Sequence, residues 1–163
     1  MSRGLFTHVL VPHDFTAAAD DALHTAVALA ASEGGDVTVL HVIAPFYPLR
    51  DLAYGPQLLD AQALESQILT RLERHVASLV GPNGARSRVT TGNPGQRIAS
   101  AAADASCVVM PTSGRTGVAH ALMGSVAERV ARLSPAPVLI LPSVRARTRR
   151  GGAVGRRRAA HGR

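Results

Sequence analysis

The chain has no lysine and no tryptophan, and only one cysteine, Cys107, among its 163 residues. A Walker A loop needs a lysine on the phosphates, and a protein kinase needs the lysine of its third strand. Schiff-base chemistry needs a lysine as its nucleophile, so all three classes are excluded. A single cysteine excludes an intramolecular disulfide framework and suits a reducing cytoplasm. Aromatic residues make up only 3% of a chain that is 46% apolar, so the core must be built from Ala, Val and Leu. Such a core lacks the stacking platforms of single-stranded nucleic-acid binders. Long hydrophobic runs are missing too. The N-terminal segment breaks at Pro12, and we expect neither a signal peptide nor a transmembrane span.

Acidic residues are absent from one region. All 18 basic residues are arginine, and eight of them lie in 145–163, which holds no Asp or Glu. The remaining 144 residues carry ten Arg against 11 acids and are close to neutral. The high pI therefore belongs to the C-terminal segment, which has no apolar periodicity and reads as a disordered basic tail. Counterion release limits it to weak, non-specific attraction to polyanions. The segment 1–144 has the length of one domain with a sizeable core.

Within that segment, short apolar runs alternate with helical patterns. Phe6 to Val11 is a first strand, continuous in Val9, Leu10 and Val11, as expected of a strand buried on both faces. Thr16 caps a helix whose face is Leu23, Ala26, Val27 and Ala30, stopped by Gly34-Gly35. Val37 to Ile43 is the second strand. A proline-containing connection leads to a long helix from about Gln57 to Val80, with Leu64, Ile68, Leu72 and Val76 on one face. Arg86 to Thr91 is a weaker third strand, and Asn93-Pro94 opens a helix with Asn at the cap and Pro at its first position. Cys107 to Met110 and Val138 to Leu141 are the fourth and fifth strands. This alternation predicts an α/β fold with a parallel sheet covered on both faces; the strand order expected for it, 3-2-1-4-5, is not set by the alternation itself.

Ligands of such sheets bind beyond the carboxyl ends of the strands, where the strand order switches. Asp14 and the 111–125 loop both follow strand ends. The loop carries Gly114, Gly117 and Gly124 and runs into a helix opening at Ser125, three residues before Glu128, the spacing of a capping box. Val126, Val130 and Leu133 supply its apolar face. A strand, a glycine-bearing loop and a helix N-terminus together make a site for an anion, most simply a nucleotide phosphate.

Residues 5–142 resemble the universal stress protein family. The likeness rests on Val11-Pro12-His13-Asp14-Phe15-Thr16, Leu40-His41-Val42, Thr91-Gly92-Asn93-Pro94 and the 110–130 stretch. Nucleotide-binding members of the family carry Gly, two residues, Gly, nine residues, then Gly-Ser or Gly-Thr. Gly114, the nine residues Arg115 to Met123, and Gly124-Ser125 match the later part, whereas Pro111 stands at the first glycine. The resemblance implies ATP or a related adenine nucleotide as ligand, which Mg2+ can accompany. Asp14, beside Pro12, would contact the ribose or adenine side, Val42 would offer backbone groups to the base, and Met110 would line the pocket. Gly114, Gly124, Ser125 and Val126 would surround the phosphates. Proline has no N–H, so any backbone donation at Pro111 is lost. The family also implies a homodimer paired through the apolar edge Val138–Leu141 and a cytoplasmic role in the stress response, without membrane insertion.

Plainer readings stand beside these. Ser125 and Glu128 can serve only as a helix cap, Gly124 only as a turn residue, and Asp14 only as support for the first helix. Gly114-Arg115-Thr116-Gly117 matches the short clamp of KH domains, but that clamp joins two helices and this one follows a strand. His13 and His41 lie in no metal-ligand spacing and are read as packing or solvent residues. Cys107, opening a buried strand, is expected to be inert. Two other functions are weighed against nucleotide-dependent regulation: the same dimer acting without nucleotide, and an enzyme. No base is paired with a nucleophile, so catalysis would amount at most to slow ATP hydrolysis.

Overall fold

Side chains along a strand alternate between faces, and Val9, Leu10 and Val11 are all buried, so both faces of their strand must be covered. The computed structural model describes residues 4–44, 61–112 and 123–142. It places these three residues at the centre of a five-stranded sheet. The strands are β1 (His8–Pro12), β2 (Asp36–Ile43), β3 (Arg86–Thr91), β4 (Cys107–Pro111) and β5 (Val138–Leu141). Every pairing is parallel and the order is β3-β2-β1-β4-β5, as predicted. The crossovers are α1 (Ala17–Ser32), α2 (Ala61–Val80), α3 (Pro94–Ala101) and α4 (Ser125–Leu133), with a 3-10 turn, Ala102–Asp104, after α3. The predicted helix start near Gln57, the Gly114 loop and the Arg-rich segment lie outside the described residues. Among the described residues no helix is long and apolar enough to cross a membrane.

Strand alternation divides the core in two. Val9 and Val11 of β1, Val37 and Val39 of β2, and Cys107 and Val109 of β4 pack with Leu23 and Ala26 of α1 and Leu72 and Val76 of α2. Leu10, Leu40, Val108 and Met110 take the opposite face with Ile98 of α3 and Ala127 and Val130 of α4. Each fully buried Leu or Val contributes roughly 1.5–3 kcal/mol, and alanines between them let the helices lie close to the sheet. Thr16 caps α1 by accepting the Ala19 N–H, and Asn93 caps α3 by accepting that of Gln96, with Pro94 in the first turn.

Two helix faces differ from the sequence reading. Leu64 is 38% exposed and Ile68 only half-buried, because the core reaches α2 only through its later turns, at Leu72 and Val76. On α4 the buried pair is Ala127 and Val130, while Val126 and Leu133 are 38% and 51% exposed. The small Ala127 sets the contact line, and the larger flanking residues are turned outward.

Candidate functional site

The chain runs from β1 outward to β2 and β3, then crosses back past β1 to β4 and β5. The direction reverses between β1 and β4, the switch point beyond whose carboxyl ends ligands of such sheets bind. Their pairing is short, Val9 with Cys107 and Leu10 with Val108. Pro12 and Asp14 leave the end of β1, and Met110 and Pro111 form the end of β4. Met110 belongs to the α3–α4 core, and Val42 of β2 packs against it. Several predicted site residues thus share one end of the sheet. Only Oδ1 of Asp14 is engaged among the described residues, by the Thr16 N–H (3.2 Å) and hydroxyl (2.6 Å). That bond supports the start of α1, as the plainer reading expects, and holds Asp14 in a fixed turn.

The start of α4 differs from the expected capping box. Gly124 is the cap residue, so the cap itself has no side chain to accept from the first turn, and Ser125 is the first helical residue. The Gly124 N–H donates to the Thr112 carbonyl (2.6 Å), and the Gly124 carbonyl accepts the Glu128 N–H (2.9 Å), so helical bonding begins one residue earlier than predicted. Glu128 pairs instead with Arg132, one turn further along. With glycine at the cap, the cap residue leaves the first-turn N–H groups to other partners, and the helix dipole there favours an anion. The Thr112 bond ties that N-terminus to the end of β4.

The direction of Pro111 follows from the ladder. Val108 and Thr112 donate to the carbonyls of Pro137 and Leu141, so even-numbered N–H groups of this strand face β5. The nitrogen of Pro111 therefore faces β1, above the last β1–β4 pair. The missing N–H costs the sheet nothing and removes one donor from the crevice.

Residues 5–142 match the family model described as the universal stress protein family. The chain belongs to that family. Among solved structures, universal stress protein UspA from Lactobacillus plantarum is 25% identical, with a TM-score of 0.63, covering 85% of this chain and 99% of its own. A universal stress protein in complex with cAMP is 22% identical, with a TM-score of 0.58 over 83% of this chain and 96% of its own. One from Archaeoglobus fulgidus in complex with dAMP is 21% identical, with a TM-score of 0.54 over 84% of this chain and 98% of its own. These two share the fold. Sequence comparison with curated proteins returned no match.

This universal stress protein also holds a cluster that residue spacing did not suggest. The Asp20 carboxylate of α1 accepts from Nε2 of His13 (3.0 Å) and from Nε2 of His75 on α2 (2.7 Å). The His13 side chain is fully buried, and burial, outweighing the attraction of Asp20, pushes its pKa below the usual histidine value. The Phe15 ring lies between His13, His41 and His75, with the Arg71 guanidinium 4.5 Å above it. His41 donates from Nδ1 to the His13 carbonyl (2.7 Å). His13 and His41 are thus packing residues, but ones tied into a polar network. Arg71 and His75 stand four apart on α2, one residue before Leu72 and Val76 of its buried stripe, which places them at the edge of the face that meets the sheet. Cys107 is free and buried, and burial raises its thiol pKa.

Proposed function

We propose that the protein binds ATP or a related adenine nucleotide at the β1–β4 switch point and acts in the cytoplasm as a nucleotide-dependent regulator of the stress response. The observation that carries this reading is the α4 N-terminus: its cap residue is glycine, and the Gly124–Thr112 bond anchors it at the end of β4. Phosphates would lie against Gly124, Ser125 and Val126, together with Gly114 of the loop outside the described residues, and Mg2+ would accompany ATP there. The base and ribose would take Asp14 and Val42, with Pro12, Met110 and Pro111 lining the crevice. Support comes also from the relatives described as complexes with cAMP and dAMP. A free, buried cysteine suits a reducing cytoplasm.

The test is to denature purified full-length protein and analyse the released small molecules. Stoichiometric adenine nucleotide, absent from a Gly124→Asp variant, is the expected result. Asp is a good cap residue and the Gly124 backbone is extended, so that variant places a repelling charge without a cost to the helix. No released nucleotide and no change in melting temperature with added ATP would reject the reading. The second reading, a dimeric interaction protein without nucleotide, is favoured by the donor missing at Pro111. Under either reading the half-buried edge Val138–Leu141 pairs two copies. Light scattering of an Ile140→Arg variant, expected to be monomeric, tests this.

A further inference from the structure

The His13 imidazole is engaged at both nitrogens. Its Nε2 lies against Asp20 and its Nδ1 accepts the Phe15 N–H at 3.1 Å. A carboxylate only accepts, so His13 is the neutral ring with its hydrogen on Nε2. This tautomer decides between two chemistries. Nε2 of His13, Asp20 and Nε2 of His75 offer atoms within 4.8 Å of one another, close enough to surround a cation. A cation at His13 Nε2 needs a lone pair that this atom has only when Nδ1 carries the hydrogen. Nδ1 already faces the Phe15 N–H, so the cluster is arranged for protons and not for a metal.

We propose that His13 is a proton-operated latch on the Asp14–Thr16 turn: a proton added at Nδ1 displaces the Phe15 N–H and releases the turn. Phe15 is the only non-glycine among the described residues at positive φ, 63°. A bulky side chain persists in that region only where its surroundings hold it. Here the N–H bond to His13 and the ring packing against His13, His41 and His75 do so. The solvent proton takes the Nδ1 lone pair, leaving two N–H groups facing each other, and only the hydrogen bond breaks. The freed Phe15 lies between Asp14 and Thr16, so their mutual bonds shift with it.

The charged and titratable groups around His13 set the direction. Asp20 on α1 and Asp14 on the same turn attract the proton, and His75 on α2 opposes it. Arg71 of α2 stands over Phe15, and His41 of β2 binds the His13 carbonyl. Burial is the largest influence and favours the neutral ring. The latch is therefore closed at neutral pH and opens in acid, below the ordinary imidazole range. The turn lies at the proposed nucleotide crevice, yet the latch itself needs no ligand.

Nitrogen-15 NMR of the full ligand-free chain tests it. The amides of Asp14, Phe15 and Thr16 are expected to shift with pH on the same curve as the His13 ring, at a midpoint below about 6.5. That shared curve should be lost in His13→Asn, whose carbonyl oxygen stands in for Nδ1 without titrating, leaving only the response to the Asp14 carboxylate that the Thr16 N–H itself bonds, and it should persist in His75→Gln. A Phe15 amide that stays still while the His13 ring titrates would overturn the proposal, as would the parent's curve surviving unchanged in His13→Asn. Ring nitrogen shifts of the unmodified protein give an independent check, because hydrogen on Nδ1 at neutral pH contradicts the latch even if the Asn variant fails to fold.

Discussion

Asp20 is the carboxylate on which two histidines converge, and replacing it with alanine measures what that convergence is worth. The His13 side chain is fully buried, so Asp20→Ala leaves its Nε2–H without an acceptor where water enters with difficulty. An orphaned buried donor costs about 1–3 kcal/mol. The His75 side chain is 31% exposed, so its N–H is rehydrated and loses at most about 0.5–1 kcal/mol. The sum, roughly 1.5–4 kcal/mol, is an upper range, because the Asp20 side chain is itself 25% exposed and water partly fills its place. Asp20→Asn keeps one acceptor oxygen and is expected to cost about 1 kcal/mol. Urea unfolding followed by circular dichroism reads both, with the midpoint falling and the slope unchanged. The pH dependence supplies a sign. The unfolded imidazole takes its proton near 6.5, the folded one only at lower pH. The stability due to neutral His13 is therefore complete above about pH 6.5 and is lost as pH falls towards the folded value. Without Asp20 the folded value drops further, so the alanine variant loses stability over a wider acid range than the parent. If Asp20→Ala unfolds within about 0.5 kcal/mol of the parent, the two hydrogen bonds do not carry the energy assigned to them.

Adjacent glycines offer a second check. A Cβ at Gly35 would lie 2.3 Å from the Phe6 carbonyl oxygen and 2.8 Å from the Thr7 Cα, whereas one at Gly34, with φ of 64°, meets nothing within 4 Å. Gly34→Ala should cost about 1–2 kcal/mol from its backbone conformation. Gly35→Ala should cost more, since backbone leading into β1 must move, and thermal melts showing the reverse order would contradict the packing described. Cys107 is buried with a raised thiol pKa. It should resist a thiol-specific disulfide reagent at mildly alkaline pH and react fully in denaturant; rapid reaction of the folded chain would place the strand elsewhere.

Fold class was legible because its signals are local, whereas the strand order is a tertiary property. Val9–Val11 is continuously apolar and Val37–Val42 nearly so and rich in β-branched residues, as strands covered on both faces require, and Asn93-Pro94 carries its cap and first turn in neighbouring residues. Asp14, Val42 and Met110 could be placed at one end of the sheet from strand polarity alone. The cap of α4 was misassigned by one residue because Gly124 is held from outside the helix, by the Thr112 carbonyl. Spacing within the helix cannot report a bond to another element. The contact lines of α2 and α4 were likewise set by where each helix meets the sheet.

Alternation of apolar strands with helical repeats, set by the periods of 2 and 3.6, thus determined the parallel sheet and the end at which a ligand would sit. Tertiary structure alone decided what His13 does. Its partners Asp20 and His75 lie seven and 55 residues further on and reach it only because α1 and α2 cover the same face of the sheet. The Phe15 N–H then settles which nitrogen keeps the proton. A tautomer is a property of converging neighbours, and no local pattern in a chain encodes it.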